Sequence, residues 1–352
     1  MLAMGYWLFG GRLKTPTMRA VATKLPPGMA AARRYLGRHL VGDGVELGPG
    51  HEPFPVPPVG VGVRYLDRWR PDEMRVLFPE LGDDAEYQAP DILADFDTDR
   101  LQALEDASQD FVLCSHLLEH LAEPVGFLME IHRVLKPGGV ALILLPDRRL
   151  TFDRDRAPTT LEHLLTEHAE GVAEVDDDHL ADFEIGAGGA VPEDPEERAK
   201  LFESHRRRSV HVHCWTEDEF MPVIEHGIRE LGERWELVDA VLAEDWPGSI
   251  EFGFVMRRST SSLEPAVLAE RFADAWEAWR SSRPRPTPAQ PETPAHTPAQ
   301  AHTPAPAQPE APVTTRHAPE LLRPFERQRA VAAAWRKGWA VLTGVRRRVP
   351  SG

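Results

Sequence analysis

The sequence predicts an α/β protein built on a doubly wound, mostly parallel sheet. Three observations carry this expectation. Strand-like and helix-like stretches alternate between residues 30 and 258, short strands end in glycine or aspartate, and several apolar runs are too continuous for a sheet wetted on one face.

The elements follow in order. Residues 1–40 read as a helical lead-in. Residues 44–47 are a short strand ending in Gly48-Pro49-Gly50, and 61–66 a second strand ending at Asp67. The run Asp110-Phe111-Val112-Leu113-Cys114 suits a strand buried on both faces. Helical spacing then runs over 117–135 and stops at Lys136-Pro137-Gly138-Gly139, directly before another buried strand at 140–145. Thr216-Glu217-Asp218-Glu219 is a capping box that opens a helix through Gly227. Residues 235–243 and 250–256 are two strands joined by Asp245-Trp246-Pro247-Gly248, an antiparallel hairpin at the sheet edge. Trp235 reads as core packing and Trp246 as edge packing. Residues 170–197 carry eleven acids and no lysine or arginine, so a mobile surface loop is expected there. Residues 263–280 form a helical extension.

Beyond the extension the composition changes. Residues 283–319 are Pro, Ala, Thr and Gln with little else, hold eleven prolines and repeat PAQPE twice. Such a segment cannot bury enough apolar surface to order itself, and it reads as a disordered, extended linker or as a ligand for a proline-binding module. Residues 320–352 carry eight Lys/Arg against two Asp/Glu, a net of +6 on a chain of −16, which leaves −22 on the rest. There Val331, Trp335, Trp339, Leu342 and Val345 form one stripe of a basic amphipathic helix, suited to an anionic membrane surface or to docking on the acidic body or a partner enzyme.

Composition also excludes. The acidic balance opposes a broad nucleic-acid grip. No apolar run reaches the ~18–20 residues that span a bilayer. The first nine residues are apolar, but Arg12 and Lys14 follow them, which makes a poor secretion signal. Two cysteines, Cys114 and Cys214, make no disulfide framework. The expected location is cytoplasmic, with the inner membrane face as the place of peripheral contact.

Glu46 and the Gly48-Pro49-Gly50 turn lie where an open α/β sheet puts its ligand crevice, and Asp67, 17 residues after Gly50, is placed to accept hydrogen bonds from ribose hydroxyls. With Asp110 to Leu121 and the Lys136 to Gly139 turn, these residues resemble the class I S-adenosylmethionine-dependent methyltransferases over 41–258. The resemblance implies a seven-stranded sheet and S-adenosylmethionine as cofactor. It assigns Glu46, Gly48 and Gly50 to the cofactor loop, Asp67 to the ribose, Asp95 and Phe96 to the adenine, and Ser115 and His116, at the end of the fourth strand, to further cofactor contacts. The usual third glycine of the loop is Glu52 here.

A narrower similarity, over Val45 to Pro53, Tyr65 to Asp67 and Pro146 to Arg156, is to methyltransferases found beside glycosyltransferases in bacterial surface-polysaccharide gene clusters. It implies a small-molecule or glycan acceptor, with a sugar hydroxyl as the target and a glycosyltransferase as a possible neighbour. Candidate proton acceptors are His116 and His120, placed four apart on one helix face, and Asp147 and Asp153 after the fifth strand. Arg154 and Arg156 read as a solvated loop or as acceptor ligands. His211-Val212-His213-Cys214 looks like a strand with both histidines on one face, packing or lining the acceptor loop, and no metal site is expected. The competing readings are a methyltransferase-like binding module without turnover and a nicotinamide-dependent oxidoreductase, the latter opposed by the missing Gly-x-Gly-x-x-Gly pattern.

Overall fold

The computed structural model describes residues 25–82 and 84–283. The linker, the basic tail and most of the lead-in expected from the sequence lie outside them. Within the described residues the lead-in contributes one helix, α1 (Pro27–Gly37).

Seven strands form one sheet: β1 (Gly42–Leu47), β2 (Val61–Asp67), β3 (Ile92–Leu93), β4 (Gln109–Ser115), β5 (Leu135–Pro146), β6 (Trp235–Val241) and β7 (Glu251–Arg258). Their order is β3-β2-β1-β4-β5-β7-β6. The first five are mutually parallel, and β7 runs antiparallel between β5 and β6. The sheet reverses at β1 and β4, whose carboxyl ends flank the crevice expected at a topological switch point.

The continuity of the apolar runs has a simple cause. In β4, Phe111 and Leu113 enter a core beneath α1 with Leu36, Leu40 and Phe54, while Val112 and Cys114 enter the larger core on the opposite face. The central residues of β4 and the second half of β5 are covered on both faces, so they are apolar at successive positions. The larger core takes its helices from α3 (Pro124–Val134), α7 (Glu217–Glu230) and α8 (Pro265–Ser282). Here α8 is part of the layer, not an appendage: Phe272 and Trp276 are buried, and the Trp276 ring lies 5.3 Å from Phe254 of β7. The capping box of α7 is present as expected, Thr216 N–H donating to Glu219 at 2.7 Å. Trp235 is fully buried, and Trp246 packs on Tyr35 at the edge.

Three expectations need correction. The helix predicted over 117–135 begins only at Pro124, because Glu123 caps it by accepting from Gly126 N–H at 2.6 Å and Pro124 stands at its first turn. Residues 118–120 form a single 3₁₀ turn and His116 has a left-handed backbone, φ 53°, so His116 and His120 do not share a helix face. Second, the acidic segment 170–197 is not a loop throughout but holds helices at 177–186 and from 195 onward. After α2 (Pro71–Leu77) and α4 (Leu161–Glu170), it supplies α5 (Asp177–Gly186) and the start of α6 (Pro195–Arg208). Its acids cap the helices, Asp176 and Asp194 each accepting backbone N–H groups, and Leu180, Phe183, Leu201 and Phe202 bury a small separate core. Third, residues 211–214 form no strand; the neighbouring Trp215 makes a single bridge to Asp147.

Candidate functional site

The carboxyl ends of β1, β2, β3 and β4 bring the predicted cofactor residues into one row. Gly48 and Gly50 both adopt left-handed backbone, φ 61° and 52°, which lets the turn fold back over the strand ends. Gly48 N–H donates to Leu66 O at 2.8 Å and Gly50 N–H to the Asp67 carboxylate at 3.3 Å, so the turn is tied to β2. Phe96 and Leu117 stand within 4 Å of where a side chain at Gly48 would begin. Asp67 is buried, and burial pushes its carboxyl up despite backbone donors from Trp69, Gly50 and Arg68. Asp95 caps its own loop and pairs with Arg68 at 2.9 Å.

Glu46 is the site's most exacting test of fit. It is 2% exposed; one oxygen accepts from Phe54 N–H at 2.7 Å and the other has no partner among the described residues. Burial raises its carboxyl to about 7, against the Phe54 hydrogen bond and the Arg33 charge. An orphaned buried oxygen beside a glycine turn suits a ligand that brings a cation or a hydrogen-bond donor, and the amino-acid end of S-adenosylmethionine carries both.

Ser115 ends β4, and His116 follows it. The His116 Nε2 lies 2.9 Å from Glu251, a fully buried carboxylate at the start of β7, and its Nδ1 lies 3.6 Å from Glu119. Burial alone would raise Glu251, but Arg33 and His116 outweigh it and bring the carboxyl to about 2. Arg33 reaches Glu251 from α1 through Nε and Nη2, at 3.1 and 2.9 Å. Glu119 is also fully buried, with neither oxygen in a hydrogen bond of normal geometry, and burial pushes it up. The Nε2 of His120 lies 3.7 Å from the same Glu119 oxygen as His116 Nδ1; burial drives this imidazole down to about 3, and it meets His211 edge-on at 4.7 Å. His211 in turn shares Nδ1 with Asp153 at 2.7 Å. Two imidazole–carboxylate pairs thus flank one buried carboxyl group.

The remaining predicted residues serve the frame. Asp147 is buried, and both its oxygens are held by Arg149, at 2.6–3.1 Å, and by Arg149 N–H. Asp153 is 0% exposed between Arg156 and His211, which hold its carboxyl below the ordinary range in spite of burial. Neither is placed to meet an acceptor. Arg156 is neither solvated nor facing a ligand; its side chain is 2% exposed. Sequence reasoning missed Glu119, Glu251, Arg33 and Asp97. The last accepts from Ala122 N–H at 2.8 Å, and burial raises it to about 6. Asp95 and Asp97 also border a cavity of about 250 Å³, whose other walls include Arg68, His120, Arg206 and Val212.

Sheet order and the antiparallel seventh strand are those of the class I methyltransferase, Rossmann-like fold. The comparisons agree in part of the chain: residues 79–143 match the methyltransferase-domain family. A probable S-adenosylmethionine-dependent methyltransferase of Mycolicibacterium smegmatis is 45% identical over 53 residues, 15% of this chain and 20% of that protein. The match therefore spans about a fifth of the curated relative's length. Among solved structures, a methyltransferase of Methanosarcina mazei is 16% identical with a TM-score of 0.34, covering 64% of this chain and 98% of that one. One from Aquifex aeolicus is 15% identical with a TM-score of 0.33, over 66% and 91%.

The state of Glu46 gives a pH signature. Only its ionised form pairs with an ammonium group, and the protonated fraction falls as pH rises through about 7. Affinity for S-adenosylhomocysteine should therefore strengthen by up to about tenfold per pH unit below 7 and level off above it. Calorimetric titration from pH 5.5 to 8.5 checks this, and Glu46→Gln should flatten the profile.

Proposed function

We propose that the chain transfers the methyl group of S-adenosylmethionine to a hydroxyl of a small polar acceptor, a sugar of a glycan or of its precursor. The observation that carries the methyl-transfer reading is the row formed by Glu46, Gly48, Gly50 and Asp67 at the switch point, with His116 at the end of the neighbouring strand. The polar cavity beside Asp95 and Asp97 supports a hydroxyl-rich acceptor, as does the resemblance of residues 146–156 to methyltransferases found beside glycosyltransferases.

The bound cofactor supplies an activated methyl group. The protein's work is then in-line positioning and removal of one proton. Glu46 and the turn would hold the amino-acid end, Asp67 the ribose hydroxyls, and Phe96 the adenine side. His116 would take the proton that the acceptor hydroxyl gives up on methylation. Glu251, fixed by Arg33, holds the proton already on Nε2 and so leaves the Nδ1 lone pair.

Asp67→Ala tests the reading. It removes charge-assisted hydrogen bonds worth roughly 1.5–3 kcal/mol, so the Kd for S-adenosylhomocysteine should rise about tenfold to over a hundredfold. An unchanged Kd in a folded variant sinks the assignment. Release of S-adenosylhomocysteine on a panel of sugars separates an enzyme from a binding module, and titration with NADH addresses the oxidoreductase.

A further inference from the structure

Away from the cofactor row, four side chains converge without an evident structural reason. His213 is 1% exposed, and neither of its ring nitrogens has a hydrogen-bond partner of normal geometry. Its Nε2 lies 3.6 Å from one oxygen of Glu167. The other oxygen of that carboxylate lies 3.1 Å from Nε2 of His163 and 3.1 Å from Nε2 of His179. Those two nitrogens are 2.9 Å apart.

Three imidazole nitrogens and a carboxylate aimed at one point make an inefficient hydrogen-bond network. Imidazole offers one donor and one acceptor, and here three rings present the same atom to the same centre. The separations fit a different purpose. An ion with tetrahedral bonds of ~2.0–2.1 Å sets its ligand atoms roughly 3.3–3.4 Å apart. The observed 2.9, 3.1, 3.1 and 3.6 Å bracket that spacing. One ligand atom from each of the four residues falls within 4.8 Å of all the others.

We propose that His163, Glu167, His179 and His213 bind a divalent first-row transition-metal ion of the zinc class. Each ligand is positioned by its own element. His163 and Glu167 are four apart on one face of α4. His179 sits in the first turn of α5, and its Nδ1 meets Asp176 at 2.8 Å, an outer carboxylate that turns Nε2 toward the centre. His213 is held by its backbone N–H on Glu119 O at 3.1 Å and by stacking on Trp215 at 5.5 Å. His163 is 45% exposed beside a cavity of about 130 Å³, which gives the ion a way in.

The ion would clamp the helical insert to the segment that follows it. Val175 and Val212 border both this cavity and the larger one beside Asp95 and Asp97, so the clamp braces a wall of the acceptor side. This assignment stands independently of the methyl-transfer reading.

The test uses untagged full-length protein. Elemental analysis after purification, and zinc titration after chelation, should give about one ion per chain. Saturating zinc at about a hundred times Kd should raise Tm by roughly 5–10 °C. Cobalt in place of zinc should show the visible ligand-field bands of a four-coordinate site. His163→Gln removes a ligand from the exposed side without opening the core, so its metal-free Tm should stay unchanged while zinc affinity falls at least about tenfold and the cobalt bands disappear. His226→Gln, on α7, should leave zinc affinity as in the parent. A Tm indifferent to zinc and chelator overturns the proposal. So does zinc bound equally by His163→Gln, or zinc lost on His211→Gln but kept by His163→Gln, which would place the ion at Glu119, His120 and His211.

Discussion

Arg156→Met is expected to destabilise the fold by about 3–5 kcal/mol, because it strips a buried carboxylate of its counter-charge. Arg156 is tied on every side. Nη1 donates to Asp153 at 2.7 Å and to His211 O at 2.9 Å, Nη2 to Val212 O at 2.9 Å, and Nε to Asp182 of α5 at 2.7 Å. One guanidinium therefore joins the turn after β5, the helical insert and the extended residues before α7. The end of α5 comes so close to its stem that a side chain at Gly186 would lie 2.3 Å from Arg156 Cγ, a contact only glycine avoids. With Arg156 gone, Asp153 keeps only Thr151 and His211 as partners.

The double variant Arg156→Met, Asp153→Leu separates the worth of the pair from the cost of orphaning it; it should recover most of the loss, since no charge is left buried alone. The pH dependence has a definite sign. Asp153 is held below the ordinary carboxylate range in the folded protein, so its contribution is present above the unfolded pKa and is lost as pH falls through the folded one. Urea unfolding at pH 7 and pH 3 should show the parent losing more stability in acid than the double variant. An Arg156→Met midpoint equal to the parent's would show that the buried pair contributes nothing.

The fold was legible because its signals are local. The double-faced runs of β4 and β5, the capping box of α7 and the glycine turn each announce themselves within a dozen residues, and all appear in the structure. The site was legible only where the chain itself supplies the geometry. Glu46, Gly48, Gly50 and Asp67 fall at strand ends and need no distant partner to be placed. Arg33 and Glu251, by contrast, are 218 positions apart and carry no pattern that links them. Asp153 looked like an acid free to act because its captors, Arg156 and His211, become neighbours only when residues 210–214 fold back over the turn. The same folding splits the two histidines of residues 211–213. His211 joins Asp153, while His213 joins residues from α4 and α5, a ligand set spread over 51 positions that no short spacing reveals. The acidic insert misled for a further reason. Its charges read as solvation, yet Asp176 and Asp194 spend them on helix starts.

His116→Asn should lower turnover by about 10²–10⁴ while leaving the Kd for S-adenosylhomocysteine within about threefold. Asparagine is the replacement that keeps the backbone, since it tolerates the left-handed φ of 53° better than other residues of its size. The fold should survive, because Glu251 still receives three hydrogen bonds from Arg33, at 3.1, 3.3 and 2.9 Å. What is lost is the imidazole that Glu251 orients. The measurement is release of S-adenosylhomocysteine with an acceptor that the parent methylates. His211→Asn serves as the rival, since His211 carries its own carboxylate partner in Asp153. If His211→Asn lowers turnover and His116→Asn does not, the proton leaves through His211 and Asp153, and the roles of the two pairs exchange. If both variants keep the parent's turnover, the acceptor's proton goes to neither, and the reaction rests on positioning alone.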